Sequence, residues 1–300
     1  MNPLVSIVIP TFNHAHFLKR ALNSIQEQTY TNWEVIVVDN HSTDNTQEII
    51  DSFTNLRINY YKIHNNGVIA ASRNKGLRES NGEWIAFLDS DDWWSPDKLE
   101  TCVNEITEKI DFIYHDLKIV GQKFSIINTL RSNRTRQVNK NPFLDMLING
   151  NPISNSSVFV RKKLIDEVGF LNENIMMIGA EDFNLWLKIA KITNKFHYLS
   201  KFLGYYEYHS NGVSRKDMSE CHKIATNEFL INLDLKSQSQ IRSHLLYIKG
   251  SFFMNQKKTR EAKKYFLQSF MFGHFTIKMK SISKIVYLYF IRGLNVIKLS

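Results

Sequence analysis

Three aspartates within four positions, Asp89, Asp91 and Asp92, follow the short apolar segment 84–88. Buried carboxylates without partners are costly, so a group of this kind needs cations or solvent. One answer is a divalent metal with oxygen ligands, whose coordination shell is completed by substrate phosphates and which stabilises a departing diphosphate. The plainer interpretation is that Asp91 and Asp92 cap the next helix or lie in solvent, because Asp-X-Asp is a common tripeptide.

Two further segments carry candidate groups. In "GAEDFNLWLKIA" (179–190), Glu181 and Asp182 stand at the predicted start of a helix, where the helix dipole stabilises carboxylates. A carboxylate there can also act as general base toward a hydroxyl group. In "YYEYHSNGVSR" (205–215), His209 precedes turn residues, so it is either a solvated histidine or a contact to metal or phosphate. Local sequence leaves both pairs of alternatives open.

The elements before residue 110 predict how these groups are positioned. Apolar, β-branched runs alternate with amphipathic helical segments, and this order predicts a parallel sheet covered by helices. The predicted strands are 4–10, 33–39, 58–63 and 84–88, with helices after each, and the helix after the last strand is predicted to be capped at Ser95. Ligands bind beyond the carboxyl ends of such strands. We therefore expect three clusters to converge there: Pro10, Thr11, Phe12 and Asn13; Asp39 and Asn40; and Asp89, Ser90, Asp91 and Asp92.

The rest of the chain has a weaker pattern. We predict a strand pair near 112–120, a strand at 157–160, a helix over 181–191 and an extended segment over 196–208. Beyond residue 215 the pattern is helical and includes a hairpin. The expected domains are 1–215, divided at residue 110, and a basic helical region over 216–300.

Composition limits the class of protein. The 300 residues are 43% hydrophobic and 22% charged, which is typical of a globular chain. The two cysteines, Cys102 and Cys221, show neither metal-ligand spacing nor a disulfide framework, as in a reducing compartment. The apolar run 4–9 is too short for a signal peptide, and no stretch reaches the roughly 20 apolar residues of a membrane span. We expect a cytoplasmic protein.

The net charge of +9 is concentrated near the end of the chain. Residues 1–215 have a net charge of −1, and residues 216–300 have +10. In the segment 276–300, one helical face carries Met279, Ile282, Val286, Phe290 and Ile297. A basic amphipathic helix predicts peripheral contact with the anionic inner face of the cell membrane. The alternatives are packing on residues 1–215 or a homodimer contact, and no recognisable module predicts nucleic-acid binding.

Three stretches together resemble the family-2 glycosyltransferases with the GT-A fold, the Rossmann-like α/β architecture of many nucleotide-sugar enzymes. They are "SIVIPTFNHAHFLKRALNSIQEQTYTNWEVIVVDNHSTDNT" (6–46), "NNGVIAASRNKGLRESNGEWIAFLDSDDWW" (65–94) and "GAEDFNLWL" (179–187). The resemblance is continuous over about the first hundred residues and patchy as far as residue 215. It implies a mostly parallel, helix-covered sheet with a C-terminal helical appendage. Within this catalytic domain it implies a nucleotide-binding part over 1–110 and an acceptor and base part over 111–215.

The resemblance also implies a chemistry, namely inverting transfer of a sugar from a nucleotide diphosphate, most often UDP, to a hydroxyl of a glycan or lipid-linked acceptor in bacterial polysaccharide synthesis. The cofactor would be Mn²⁺ or Mg²⁺. The implied roles are nucleotide binding by Pro10, Thr11, Phe12, Asn13, Asp39 (at the uracil edge), Arg73, Asp89 (near the ribose) and Ser90; metal binding by Asp91, Asp89 and His209; and catalysis by Asp182 as general base beside Glu181.

One position departs from the family pattern. Relatives often have arginine two places before the histidine, where this chain has Glu207. A phosphate contact from position 207 is therefore not expected, and Arg215 is the candidate to make that contact instead. Three alternative functions remain: a sugar-nucleotide nucleotidyltransferase, a phosphohydrolase with an aspartate nucleophile, and a non-catalytic nucleotide-sugar-binding relative. The segment "PTFNHAHF" argues against the first because it has no glycine and no lysine for a phosphate loop.

Overall fold

The computed structural model describes residues 2–121, 135–208 and 216–297. The chain divides into two compact units. The first comprises Met1–Phe143 and Asn151–Ser210, and the second comprises Leu144–Gly150 and Asn211–Ser300. The boundary predicted at residue 215 stays a prediction.

The first unit is built on one sheet of eight strands in the order β3-β2-β1-β4-β7-β6-β8-β5. The strands are β1 (Val5–Thr11), β2 (Trp33–Asp39), β3 (Ile58–Lys62), β4 (Trp84–Phe87), β5 (Trp93–Trp94), β6 (Phe112–Val120), β7 (Phe159–Arg161) and β8 (Phe196–Glu207). The first four strands in this order pair in parallel. The predicted fold class, a mostly parallel sheet covered by helices, is confirmed.

Helices such as α1 (Ala15–Gln26) and α3 (Ile69–Arg78) pack on this sheet through buried residues. Within α1, the residues Leu18, Ala21, Leu22 and Ile25 are fully buried at helical spacing. In α3, a Cβ added to Gly76 would lie 2.6 Å from Val8 Cγ1, so only glycine allows this close approach to β1. The helices up to residue 192 are α1 (Ala15–Gln26), α2 (Thr46–Asp51), α3 (Ile69–Arg78), α4 (Lys98–Asn104), α5 (Pro142–Asn149), α6 (Lys162–Val168) and α7 (Glu181–Ile192).

Two local predictions were wrong in detail. The segment 112–120 is one nine-residue strand, β6, rather than a strand pair, because both its neighbours, β7 and β8, come from distant parts of the chain. The helix expected to be capped at Ser95 begins at Lys98, and Ser95 donates a hydrogen bond to Asp97 in the preceding turn.

The second unit is helical. It contains α8 (Met218–Asn227), α9 (Leu235–Asn255), α10 (Thr259–Phe272) and α11 (Phe275–Ile297), and α9 and α10 form the predicted hairpin. Ala262, Phe266 and Leu288 form a small buried core between helices. Among the described residues, the helices are either too short or too polar to cross a bilayer.

Candidate functional site

The carboxyl ends of the parallel strands bring the predicted nucleotide-binding residues together. Thr11 and Asp39 are the last paired residues of β1 and β2 and lie in register with each other. The backbone N–H of Asn40 donates to the Thr11 carbonyl at 3.0 Å, which extends this pairing beyond the strands. The convergence expected from the sequence is therefore observed at this edge.

Asp39 is buried and its carboxylate is held in one orientation. Its Oδ1 accepts hydrogen bonds from the Ser42 backbone N–H at 3.0 Å and the Ser42 hydroxyl at 2.5 Å. Its Oδ2 accepts from the Tyr60 hydroxyl at 2.7 Å. Burial and the adjacent Asp39 carboxylate raise the pKa of Tyr60, which keeps this phenol a donor. A carboxylate fixed in this way can recognise the polar edge of a base.

The neighbouring residues form the rest of the edge. Pro10 is buried within β1, whereas Phe12 is exposed and can offer an aromatic face. Asn13 has a positive φ of 50° and accepts a hydrogen bond from the Thr43 N–H at 2.8 Å. Ser90 is buried, with its hydroxyl 3.0 Å from His14 Nδ1.

The three clustered aspartates have different environments. Asp92 is fully buried and accepts hydrogen bonds from the Ser156 hydroxyl at 2.6 Å and the Glu207 N–H at 3.0 Å. Burial, together with Asp91 and Asp89, raises the pKa of Asp92 well above its usual value. The Asp91 carbonyl accepts a hydrogen bond from Arg20, and Asp91 itself is half-buried. Asp92 is therefore held inside the protein by these hydrogen bonds, whereas Asp91 and Asp89 are closer to solvent.

Arg73 connects the two acidic clusters that the sequence singled out. It is only 4% exposed, and its Nη2 lies 2.6 Å from Asp89 Oδ1 while its Nη1 lies 2.6 Å from Glu181 Oε1. The other Glu181 oxygen accepts from the Gly179 N–H at 2.6 Å. Two carboxylates brought close together are compensated by one guanidinium, which is the arrangement that buried charges require.

Asp182 is next to this network, at the start of α7. Its Oδ1 accepts from the Phe183 N–H at 2.6 Å, and Asn151 Nδ2 lies 3.4 Å from its Oδ2. Burial and the neighbouring Glu181 raise the pKa of Asp182 to about 7, against the opposing effect of Arg73. A carboxyl group with a pKa near neutrality is suited to accept a proton during catalysis.

The oxygen donors of the acidic loop fit a hard divalent cation. Asp92 has both oxygens engaged within the protein, and Asp89 Oδ1 accepts hydrogen bonds from Arg73 and Asn155. The half-buried Asp91 and Asp89 are the two acids of the loop that a metal could reach from solvent. Across residues 2–121, 135–208 and 216–297, no cluster of three or more ligand side chains forms a complete site. Mg²⁺-type sites often use one or two carboxylates and leave the remaining positions to substrate phosphates and water. His209 and Arg215 lie outside the described residues.

Sequence reasoning missed three residues of this site. Asn155 donates to Asp89 Oδ1 at 2.9 Å, the Ser156 hydroxyl accepts from the Asp89 N–H at 3.0 Å, and Asn151 contacts Asp182. They precede β7, which runs antiparallel to β4, so the amino end of β7 lies at the carboxyl end of β4. The polar segment "NPISNSS" (151–157) before a strand was the available signal.

The chain matches a known family and several curated relatives. The model described as "Glycosyl transferase family 2" matches residues 6–168. The Escherichia coli WfaP, a UDP-Glc:alpha-D-GlcNAc-diphosphoundecaprenol beta-1,3-glucosyltransferase, is 30% identical over 239 residues, which are 79% of this chain and 90% of the relative. WfgD of the same species, with the same described activity, is 32% identical over 64% of this chain and 71% of its own length.

Other matches differ in length or share the fold alone. A glycosyltransferase of Rickettsia felis is 30% identical over 71% of this chain, which spans only 36% of that relative. Staphylococcus aureus TarS, residues 1–349, superposes with a TM-score of 0.63 at 21% identity, covering 95% of this chain and 88% of that one. The family match extends over more than half of the chain and includes the three strand-end clusters and Arg73, so the chain belongs to glycosyl transferase family 2.

Proposed function

We propose that this protein transfers a sugar, with inversion, from a UDP-sugar to a hydroxyl group of a lipid-linked glycan acceptor. The reaction is of the hexosyl or N-acetylhexosaminyl type and serves bacterial polysaccharide synthesis on the cytoplasmic side of the membrane. Two relatives, WfaP and WfgD, are UDP-Glc:alpha-D-GlcNAc-diphosphoundecaprenol beta-1,3-glucosyltransferases, and their donor and acceptor support the donor and acceptor classes proposed here.

The observation that carries the proposal is the Arg73 bridge. Asp89 belongs to the strand edge where nucleotides bind, and Glu181 directly precedes the candidate base Asp182. One buried guanidinium therefore fixes the donor side and the acceptor side relative to each other. A transferase that joins two substrates needs this fixed geometry, since orienting the reactants is a large part of catalysis.

The donor half of the site is assigned by residue type. Asp39 accepts the N–H of the uracil edge, Thr11 and Phe12 contact the base, and Asp89 lies toward the ribose. The Thr11 hydroxyl supports this assignment, because it is buried and has no hydrogen-bond partner within the described residues. Asp91 and Asp89 would hold the metal, with His209 as a further ligand, and bound Mn²⁺ or Mg²⁺ would supply positive charge to the departing diphosphate.

The acceptor half is assigned to Asp182. Its carboxylate takes the proton of the acceptor hydroxyl while that oxygen bonds to the anomeric carbon on the face opposite the diphosphate. The carbon–oxygen bond to the diphosphate breaks, and its electron pair leaves with UDP. A single displacement inverts the anomeric centre and needs no covalent nucleophile, which is consistent with one base and one stabilised leaving group.

Membrane contact through 276–300 is part of the proposal. In α11, Met279, Ile282, Val286 and Phe290 are exposed, whereas Ile277, Ser281 and Leu288 are buried within the second unit. These four residues of the apolar stripe read from the sequence thus form an exposed surface, and the chain has no acidic residues after Glu261. Such a surface suits an anionic membrane that also holds the lipid-linked acceptor. The alternative to membrane contact is that two copies of the protein associate through the same stripe.

Calorimetric titration with UDP, dTDP and GDP, with and without Mn²⁺, tests the donor assignment. We expect metal-dependent binding of UDP that Asp91→Ala removes. Asp182→Ala should retain this binding while transfer from UDP-sugars to a GlcNAc-diphospholipid acceptor falls by roughly 10²–10⁴. Equal loss of UDP binding in both variants would contradict the separate roles.

A further inference from the structure

Arg20 makes a set of contacts that the resemblance to the family did not include. From α1, its Nη2 donates to the Asp91 carbonyl at 2.8 Å, and its Nη1 lies 2.9 Å from Glu207 Oε2. One guanidinium thus contacts the backbone of the candidate metal ligand and the last residue of β8.

Stacking on an aromatic ring also fixes the plane of this guanidinium. Arg20 Cζ lies 3.5 Å from the centroid of the Trp93 ring, and Trp93 stacks on Tyr205 with centroids 4.9 Å apart. The three groups form a layered arrangement across the β5–β8 pair. A planar guanidinium can stack by its face and donate by its edge at once, which an ammonium group cannot do.

A second connection runs between the same two segments. The Glu207 N–H donates to Asp92 Oδ1, while the Glu207 carboxylate pairs with Arg20. The end of β8 is therefore tied to the acidic loop at Asp92 by its backbone and at Asp91 through Arg20. Glu207, the position that departs from the family pattern, has a partner inside the unit.

We propose that Arg20 is a positioning residue that holds the Asp91 main chain at the geometry required for metal-dependent donor binding, with Glu207 as its anchor. This inference rests on the proposed function, because it assumes that Asp91 binds metal. It assigns Glu207 a contact with Arg20 in place of the phosphate contact that an arginine would make.

The test measures UDP binding by calorimetry across a Mn²⁺ titration, together with thermal unfolding. Arg20→Met and Arg20→Lys should each raise the Mn²⁺ concentration for half-maximal UDP binding by about 10-fold, as is typical for residues that orient metal ligands. Lys19→Met, on the adjacent exposed position of α1, is the matched control and should bind like the wild type.

Glu207→Gln should give a smaller rise, and combining it with Arg20→Met should add nothing, because both changes remove one shared interaction. A wild-type Mn²⁺ response in Arg20→Lys would mean that charge alone suffices and would overturn the inference. So would an Arg20→Met protein that unfolds at a lower temperature yet responds normally to Mn²⁺. If Arg20→Met does not fold, Arg20→Lys and Glu207→Gln decide the question.

The two proposals fail in different ways. Wild-type protein that binds UDP without any response to Mn²⁺ would overturn the metal assignment and this inference together. Wild-type protein with a normal Mn²⁺ response, accompanied by unchanged Arg20 variants, would overturn only the role of Arg20.

Discussion

Arg73 and Glu181 are 108 positions apart in the chain, and their side chains form a buried ion pair of 2.6 Å. The same guanidinium lies 2.6 Å from Asp89. Neither acid is adjacent to Arg73 in sequence, so the pairing depends entirely on α3, β4 and α7 meeting at one edge of the sheet. This relationship underlies both the stability and the proposed chemistry of the site.

Replacing Arg73 should destabilise the fold strongly. Arg73→Met leaves the buried Glu181 carboxylate without its cation, and breaking a buried pair in this way costs about 3–5 kcal/mol. The free energy of unfolding in urea measures the loss.

Arg78→Met is the matched control on the same helix. Arg78 is 54% exposed and lies 3.9 Å from Glu173, so its removal should cost less than about 1 kcal/mol. Similar losses of unfolding free energy in the two variants would show that the buried Arg73 bridge stabilises the fold no more than the exposed Arg78 pair does.

Asp182→Asn should change how stability depends on pH. The folded-state pKa of Asp182, raised to about 7, lies above the unfolded value of about 3.9. The wild type therefore loses the stability linked to this group as pH rises from about 4 to about 7, at up to about 1.4 kcal/mol per pH unit. The Asn variant should not lose it, so its relative stability grows across that range.

Urea unfolding of both proteins without metal or nucleotide, at several pH values, measures this difference. Asp166→Asn, an exposed acid in α6, should follow the wild-type curve. A constant difference between Asp182→Asn and wild type at all pH values would contradict the raised pKa.

Asp91 and Asp92 should respond differently to the same substitution. Asp91→Asn should weaken Mn²⁺-dependent UDP binding by at least about 10-fold, because it removes a ligand charge. Asp92→Asn should retain that binding, since its partners are Ser156 and a backbone N–H, and a serine hydroxyl can either donate or accept. Calorimetry decides between them, and loss of binding in Asp92→Asn alone would reverse the assignment.

The exposed face of α11 should bind anionic vesicles. Phe275 and Val286 are 78% and 60% exposed, and changing both to Glu should reduce binding of the full-length protein to phosphatidylglycerol vesicles at low salt by about 10-fold or more. Sedimentation with vesicles measures the bound fraction.

Ile231→Glu is the control, because Ile231 is 85% exposed but lies outside that face. Unchanged vesicle binding in the Phe275 and Val286 variant would remove the membrane assignment. A simultaneous change in oligomeric state, measured by light scattering, would favour self-association through the stripe.

The sequence by itself determined the strand and helix order of the first hundred residues. Periodicity and β-branched runs are local signals, and the rule that ligands bind at the carboxyl ends of parallel strands converts them into a site prediction. The grouping of Thr11, Asp39 and Asp89 at one edge was predicted on this basis. The apolar stripe of α11 was also visible, because helical spacing is a property of the sequence alone.

Tertiary structure alone decided which partners each polar group has. The sequence does not distinguish the three aspartates. Asp92 is nevertheless the buried one and accepts a hydrogen bond from Ser156, because β7 runs antiparallel to β4 and places the residues before it at the end of β4. The Arg73 and Arg20 contacts join residues that only the folded chain brings near each other. In α11, packing within the helical unit buries Ile277 and Leu288 and leaves the stripe residues between 279 and 290 exposed. Such choices depend on the sum of long-range contacts, and no local pattern contains that information.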